Sequence, residues 1–154
     1  MKIVLALALV LGGAGTLFGA EPAASGTVTA QLGLGPSSSG ALHLQGGADA
    51  RFGRLFPGSQ MPLDWGAAVR VGWQGSGLDA GVLATLRYRW NALSQKWQWL
   101  DAWETYAGLG VQVLPELQGV GLFGLAYHPD EHWGVFAEAS TLPWPLMVGV
   151  LYGF

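Results

Sequence analysis

At 154 residues the chain holds material for one domain, and its 51% apolar and 11% charged composition, with 25 Gly and 8 Trp, leaves less than half the charge of an ordinary soluble domain. A net charge of −3 with few, dispersed Arg residues excludes a nucleic-acid-binding surface. The absence of Cys excludes disulfide staples, thiolate metal sites and a lipid anchor on an N-terminal Cys.

The first segment is an address. Lys2 followed by "IVLALALVLGGAGTLFGA" is a short positive region and an apolar run, the pattern of a secretory signal peptide. Residues 1–20 are expected to be the leader, cut after Ala20 or as late as Ser25. The competing reading is an uncleaved membrane anchor, but the run lies at the lower edge of the roughly 17–25 residues a spanning helix needs.

From residue 26 onward the apolar residues recur with a period of two, which is the period of strands. "GTVTAQLGLG" sets Val28, Ala30, Leu32 and Leu34 against Thr27, Thr29 and Gln31. "ALHLQGGADARF" sets Leu42, Leu44 and Phe52 against His43, Gln45, Asp49 and Arg51. "DWGAAVRVGWQ" sets Trp65, Val69, Val71 and Trp73 against Asp64 and Arg70. "LDAGVLATLRYRW" sets Val82, Leu86, Tyr88 and Trp90 against Asp79, Arg87 and Arg89, and "AWETYAGLGVQV" sets Trp103, Leu109, Val111 and Val113 against Glu104, Tyr106 and Gln112. Three weaker runs, "GVGLFGLAY", "WGVFAEAS" and "PLMVGVLYGF", bring the count to eight. Between them "PSSSG", "PGSQ", "GSG", "NALSQK", "PELQG", "HPDEH" and "TLPWP" supply the residues that reverse a chain. Connections this short predict an antiparallel meander.

Asp49 with Arg51, Asp64 with Arg70, and Asp79 with Arg87 and Arg89 put both signs of charge on one face of their strand, and the opposite face is free of charge. That is expected where they neutralise one another in a confined interior rather than facing water. The other face is Leu, Val, Ala, Phe and Trp, too apolar for an open aqueous surface. Two architectures satisfy the pattern: a membrane barrel with charges inside, or a soluble barrel with the faces exchanged. A soluble exterior needs roughly a quarter of its residues charged, and the polar face here is too sparsely charged for that. Aromatics near strand ends, among them Trp65, Trp73, Trp90, Trp103, Trp133 and Tyr152, also match interfacial girdles.

The chain ends on "MVGVLYGF". The spacing Gly149, Tyr152, Phe154 resembles the C-terminal assembly signal of bacterial outer-membrane proteins, although Met147 stands where that pattern usually carries a polar residue. With the leader, the chain resembles the small eight-stranded outer-membrane β-barrels. The resemblance implies an all-β, eight-stranded antiparallel up-and-down transmembrane barrel over residues 26–154, placed in the outer membrane, contacting its lipid and the barrel-assembly machinery, and monomeric.

At eight strands the interior is just wide enough for side chains to fill it. Arg51, Arg70, Arg87 and Arg89 are expected to meet Asp49, Asp64, Asp79, Glu104 and Glu138 there. The primary reading is a structural plug; the alternative is a narrow ion path gated by separation of the pairs. Some small outer-membrane barrels modify lipid A, using a His and a Ser two residues apart with a carboxylate. Here "YHPDEHWGVFAEAS" offers His128, His132, Glu138 and Ser140 without that spacing, and His43 is followed by Gln45, which is no nucleophile. No catalytic residues, cofactor or metal are therefore expected, "HPDEH" being read as a solvated turn. With the N-terminus in the periplasm, the longer connections near residues 54–63 and 91–101 fall on the periplasmic side. This is the reverse of the usual pattern, and it means either a miscounted strand or a working end that faces the periplasm.

Overall fold

The computed structural model describes residues 27–36, 40–56, 61–74, 77–90, 97–141 and 146–154. The expected leader and both its cleavage points lie outside the described residues, as do five of the seven turn stretches in whole or in part. The described residues form eight strands: β1 (Val28–Pro36), β2 (Leu42–Arg54), β3 (Leu63–Gln74), β4 (Gly77–Arg89), β5 (Trp103–Leu114), β6 (Gln118–Tyr127), β7 (Trp133–Ser140) and β8 (Leu146–Gly153). Each pairs antiparallel with the next, and β8 returns to β1 from Thr29↔Gly153 to Leu34↔Val148, closing the barrel. Closure leaves no sheet edge, which is what a strand protein in lipid requires, since hydrocarbon cannot satisfy free backbone groups. Among the described residues the closed barrel has eight strands, the number expected from the sequence.

The alternation decides which way each strand faces. Outward positions on all eight strands carry no charged residue, and besides Thr105 their polar atoms are the hydroxyls and indole N–H groups of Tyr and Trp. Leu109 is 75% exposed, Phe123 58% and Leu32 54%, whereas Arg70 is 1% exposed and Arg87 3%. A 12-residue strand such as β3, tilted by about 45°, spans ~28 Å at ~3.3 Å per residue, close to the hydrocarbon thickness of a bilayer.

The two mouths differ. The terminal mouth, where β1 starts and β8 ends, is also where β2 passes to β3, β4 to β5 and β6 to β7; the opposite mouth is where β1 passes to β2, β3 to β4, β5 to β6 and β7 to β8. Aromatic contacts crowd the terminal mouth on the outer wall: Phe52 against Trp65 (4.9 Å between ring centroids), Trp103 against Tyr127 (5.1 Å) and Tyr152 between Trp133 (4.9 Å) and Phe154 (5.0 Å). A 3-10 helix over Gln98–Ala102 buries Leu100 and leaves Trp97 and Trp99 exposed. Its place beside the girdle agrees with the expectation of an interfacial segment in "SQKWQWLDAW", whose first three residues lie outside the described residues.

Glycine on the inner face makes room for large neighbours. Gly124 is paired directly with Tyr106, and a Cβ there would overlap the tyrosine ring; a Cβ on Gly72, which pairs with Gln45, would likewise overlap the His43 ring. A β-bulge lies between Arg51 and Gly53, where Gly53 has φ 146°, a conformation glycine tolerates far better than other residues. The bulge increases local twist while leaving Arg51 turned inward and Phe52 outward.

Candidate functional site: the barrel interior and its terminal mouth

The interior is divided lengthwise. Strands β2 to β5 supply nearly all its charge, while β6 to β8 supply Val120, Leu122, Phe136, Met147 and Leu151, which join Ala68 and Leu83 in an apolar cluster. Glu138 on β7 is the carboxylate on that apolar side and reaches across to the charged wall. This apolar half escaped the sequence reading, which described the inner face by its charges. Only β8 carried the signal, since turning Val148, Val150 and Tyr152 outward leaves Met147 and Leu151 on the inner face; in β6 and β7 both faces are apolar or small.

At the centre, Arg70 Nη1 donates to Asp49 Oδ2 at 3.0 Å, and its Nη2 lies 3.4 Å from Glu138 Oε2. Arg87 bridges two carboxylates, with Nη2 2.5 Å from Asp49 Oδ1 and Nη1 2.6 Å from Glu104 Oε1. Arg51 Nη2 takes the second oxygen of Glu104 at 2.7 Å. The Tyr106 hydroxyl donates to Glu138 at 3.1 Å, and the Arg87 guanidinium lies 4.8 Å from the centre of the Tyr106 ring. Arg89 closes the set more loosely, its Nε being 3.8 Å from Glu104 and 3.9 Å from Asp64. Four guanidinium groups thus face four carboxylates: Arg51, Arg70, Arg87 and Arg89 against Asp49, Asp64, Glu104 and Glu138. Neutrality is what allows such a set to be buried, because an unpaired charge in this environment would be very costly.

Asp79 departs from the expected network. It sits near the start of β4, at the mouth opposite the Arg87 and Arg89 end. Its carboxylate accepts from Gln112 Nε2 at 3.2 Å and lies 3.9 Å from His43 Nδ1. Gln118 in turn donates to Gln112 at 2.7 Å. Seven residues of extended strand separate Asp79 from Arg87, so the shared face that linked them in sequence does not bring them together in space. The amides of this second cluster were legible only as residues of the same parity.

Residues weighed for chemistry are dispersed. His128 and His132 belong to the β6–β7 connection at the terminal mouth, whereas Ser140 ends β7 at the opposite mouth, and Glu138 is held by Arg70 and Tyr106. In "HPDEH" the Asp130 carboxylate accepts from the backbone N–H groups of His132 (2.8 Å) and Trp133 (2.6 Å). Those two bonds hold its pKa below the usual carboxylate range, so the residue organises the turn. Burial lowers the pKa of His128, with the Glu104 carboxylate working against it. Among the described residues no group of three or more His, Asp or Glu side chains could hold a metal ion.

Gly149, Tyr152 and Phe154, expected to form an assembly signal, lie where barrel closure is completed. Gly149 pairs with Gly33 on β1, and Phe154 N–H donates to Val28 O at 3.0 Å. Tyr152 and Phe154 meet edge to face in the outer girdle. The final aromatic is therefore held by the first strand and by its neighbours in the ring.

Above the ionic floor the terminal mouth opens into a cavity of about 450 Å³, lined by residues that include Thr27, Thr29, Arg51, Arg89, Asp101 and His128.

No protein-family model matches the chain, and no curated protein matches it in sequence. In structure it is similar to a designed barrel from a study of the "De novo design of transmembrane beta-barrels", with a TM-score of 0.62 and 16% identity over 87% of this chain and 100% of the designed one. At that identity the likeness is one of fold: a closed, eight-stranded, all-antiparallel barrel of the transmembrane type, here built around a buried ionic network.

Proposed function

We propose that the protein is a small outer-membrane β-barrel with a structural, membrane-stabilising or interaction role, closed to solute diffusion and without catalytic activity. The observation that carries this reading is the pairing of an uncharged outer wall with an interior in which guanidinium and carboxylate groups neutralise one another. Residues 1–20 would direct export. Gly149, Tyr152 and Phe154 would be read by the barrel-assembly machinery, and the barrel would stand as a monomer in lipid. The placing of the longer connections and the polar cavity at the terminal mouth supports a working end that faces the periplasm. The separation of His128 and His132 from Ser140 supports a non-catalytic role over lipid A modification.

Fractionation tests the address. The full-length chain should partition with outer membranes, migrate faster on gels unheated than boiled, and give no stepwise conductance in planar bilayers. Migration as an ordinary soluble protein would overturn the membrane reading, and steady ion currents would overturn closure.

A second measurement separates a lipid-facing wall from a soluble one. Leu109 projects outward from the middle of β5. Leu109→Arg should cost about 2–4 kcal/mol when refolding into vesicles is followed by urea titration, the penalty for an Arg near the bilayer midplane. A change within about 0.5 kcal/mol, typical of an ordinary water-exposed surface, would contradict the proposal.

A further inference from the structure

We infer that the cavity at the terminal mouth is a binding site for a zwitterion, with an anionic group seated at Arg51 and Arg89 and an ammonium group at Asp101 and Glu131. The floor has donor capacity to spare. Each Glu104 oxygen takes one close guanidinium contact, from Arg51 and Arg87 at 2.7 and 2.6 Å, so it neutralises the floor without occupying Arg51 Nε, which is buried without a partner among the described residues. Arg89 is about half exposed, and its nearest carboxylate oxygens are 3.8 and 3.9 Å away, beyond a direct hydrogen bond. His128 Nε2 is likewise buried without a partner among the described residues and lines the same space.

The rim has the opposite character. Asp101 and Glu131 are exposed, line the opening, and form no ion pair with a described residue. Asp130 is set apart from them because its carboxylate is engaged by the turn. An anionic ligand alone would meet the rim carboxylates on entry, and a cationic one would meet the floor guanidinium groups. A molecule carrying both charges, carboxylate or phosphate inward and ammonium outward, satisfies both layers. At about 450 Å³ the space falls in the range of small-molecule sites and takes a dipeptide or the phosphoethanolamine headgroup of a lipid, which share this chemistry.

The test is titration calorimetry on the full barrel folded in detergent, with folding verified for every variant by heat-modifiable migration. The probes are alanyl-alanine, its N-acetylated form, its C-terminal amide, and phosphoethanolamine. At least one of the two zwitterions should bind. Where alanyl-alanine does so, blocking either end should weaken it tenfold or more; where phosphoethanolamine does so, plain phosphate and ethanolamine should each be that much weaker. Binding by the dipeptide alone identifies a free solute, by phosphoethanolamine alone a headgroup, and by both a site that reads charge spacing only. Arg89→Gln should lower the affinity of the bound zwitterion tenfold, and so should the pair Asp101→Asn with Glu131→Gln. Absence of binding by both zwitterions, blocked or single-charge forms that bind as well as the parent, or indifference to either set of substitutions overturns the site. The assay requires a folded barrel and not an outer-membrane address, so its failure is distinguishable from failure of the fractionation experiment.

Discussion

Arg87→Met should lower the unfolding free energy of the barrel in vesicles by about 3–5 kcal/mol, the cost of stranding buried carboxylates by removing a partner. Arg87 contributes to both halves of the central network, at 2.5 Å from Asp49 and 2.6 Å from Glu104. Without it the four carboxylates face three guanidinium groups. A second substitution, Asp49→Asn, restores the balance, leaving Glu104 with Arg51 and Arg70 with Glu138. The double variant should therefore be more stable than Arg87→Met alone, a reversal that loss of packing cannot produce. Urea titrations of the three proteins measure both effects. A single-variant cost below about 1 kcal/mol, the range of exposed ion pairs, would mean that water screens the interior and that pairing does not hold it together.

The second large effect comes from a residue with no side chain. Gly124→Ala places a methyl group against the Tyr106 ring, and that ring has little freedom to move, with its hydroxyl bound to Glu138 and Arg87 against its face. Overpacking of this kind costs about 1–3 kcal/mol. Tyr106→Leu removes the obstructing ring and is itself destabilising, because Glu138 loses a donor. Combined, the two substitutions should cost less than the sum of their separate effects, with a coupling in the range of about 0.5–3 kcal/mol expected for residues in contact. Strict additivity would show that Gly124 serves the backbone and not the ring. The same experiment at Gly72 and His43 would test whether the relation recurs at the other mouth.

Much of the architecture was readable from the chain alone, and for a physical reason. Successive side chains of a strand point to opposite faces, so the separation of Asp64 and Arg70 from Val71 and Trp73 is already a statement about two different environments. The surrounding composition then indicates which environment is lipid. The eight strands, their antiparallel order and the inward turn of Asp49, Arg51, Arg70, Arg87, Arg89, Glu104 and Glu138 follow from that local rule. It also explains where the reading was thin. In β6 and β7 both faces are largely apolar or small, so alternation gave little sign of Val120, Leu122 and Phe136 lining the interior.

Partner choice belongs to the tertiary structure. Parity says that a residue points inward but not how far along the barrel axis it lies, because strand tilt and register fix the height at which residues of different strands meet. Arg70 reaches Glu138 across 68 positions of sequence, whereas Asp79 shares a strand face with Arg87 and pairs instead with Gln112. Gly124 is required opposite Tyr106 only because register places the two side by side. The terminal cavity likewise exists because pairing of β1 with β2 sets Thr27 beside Arg51, and closure of β8 onto β1 brings Phe154 to the same mouth as Asp101 and His128. Alternation set the environment of each residue, and closure set its company.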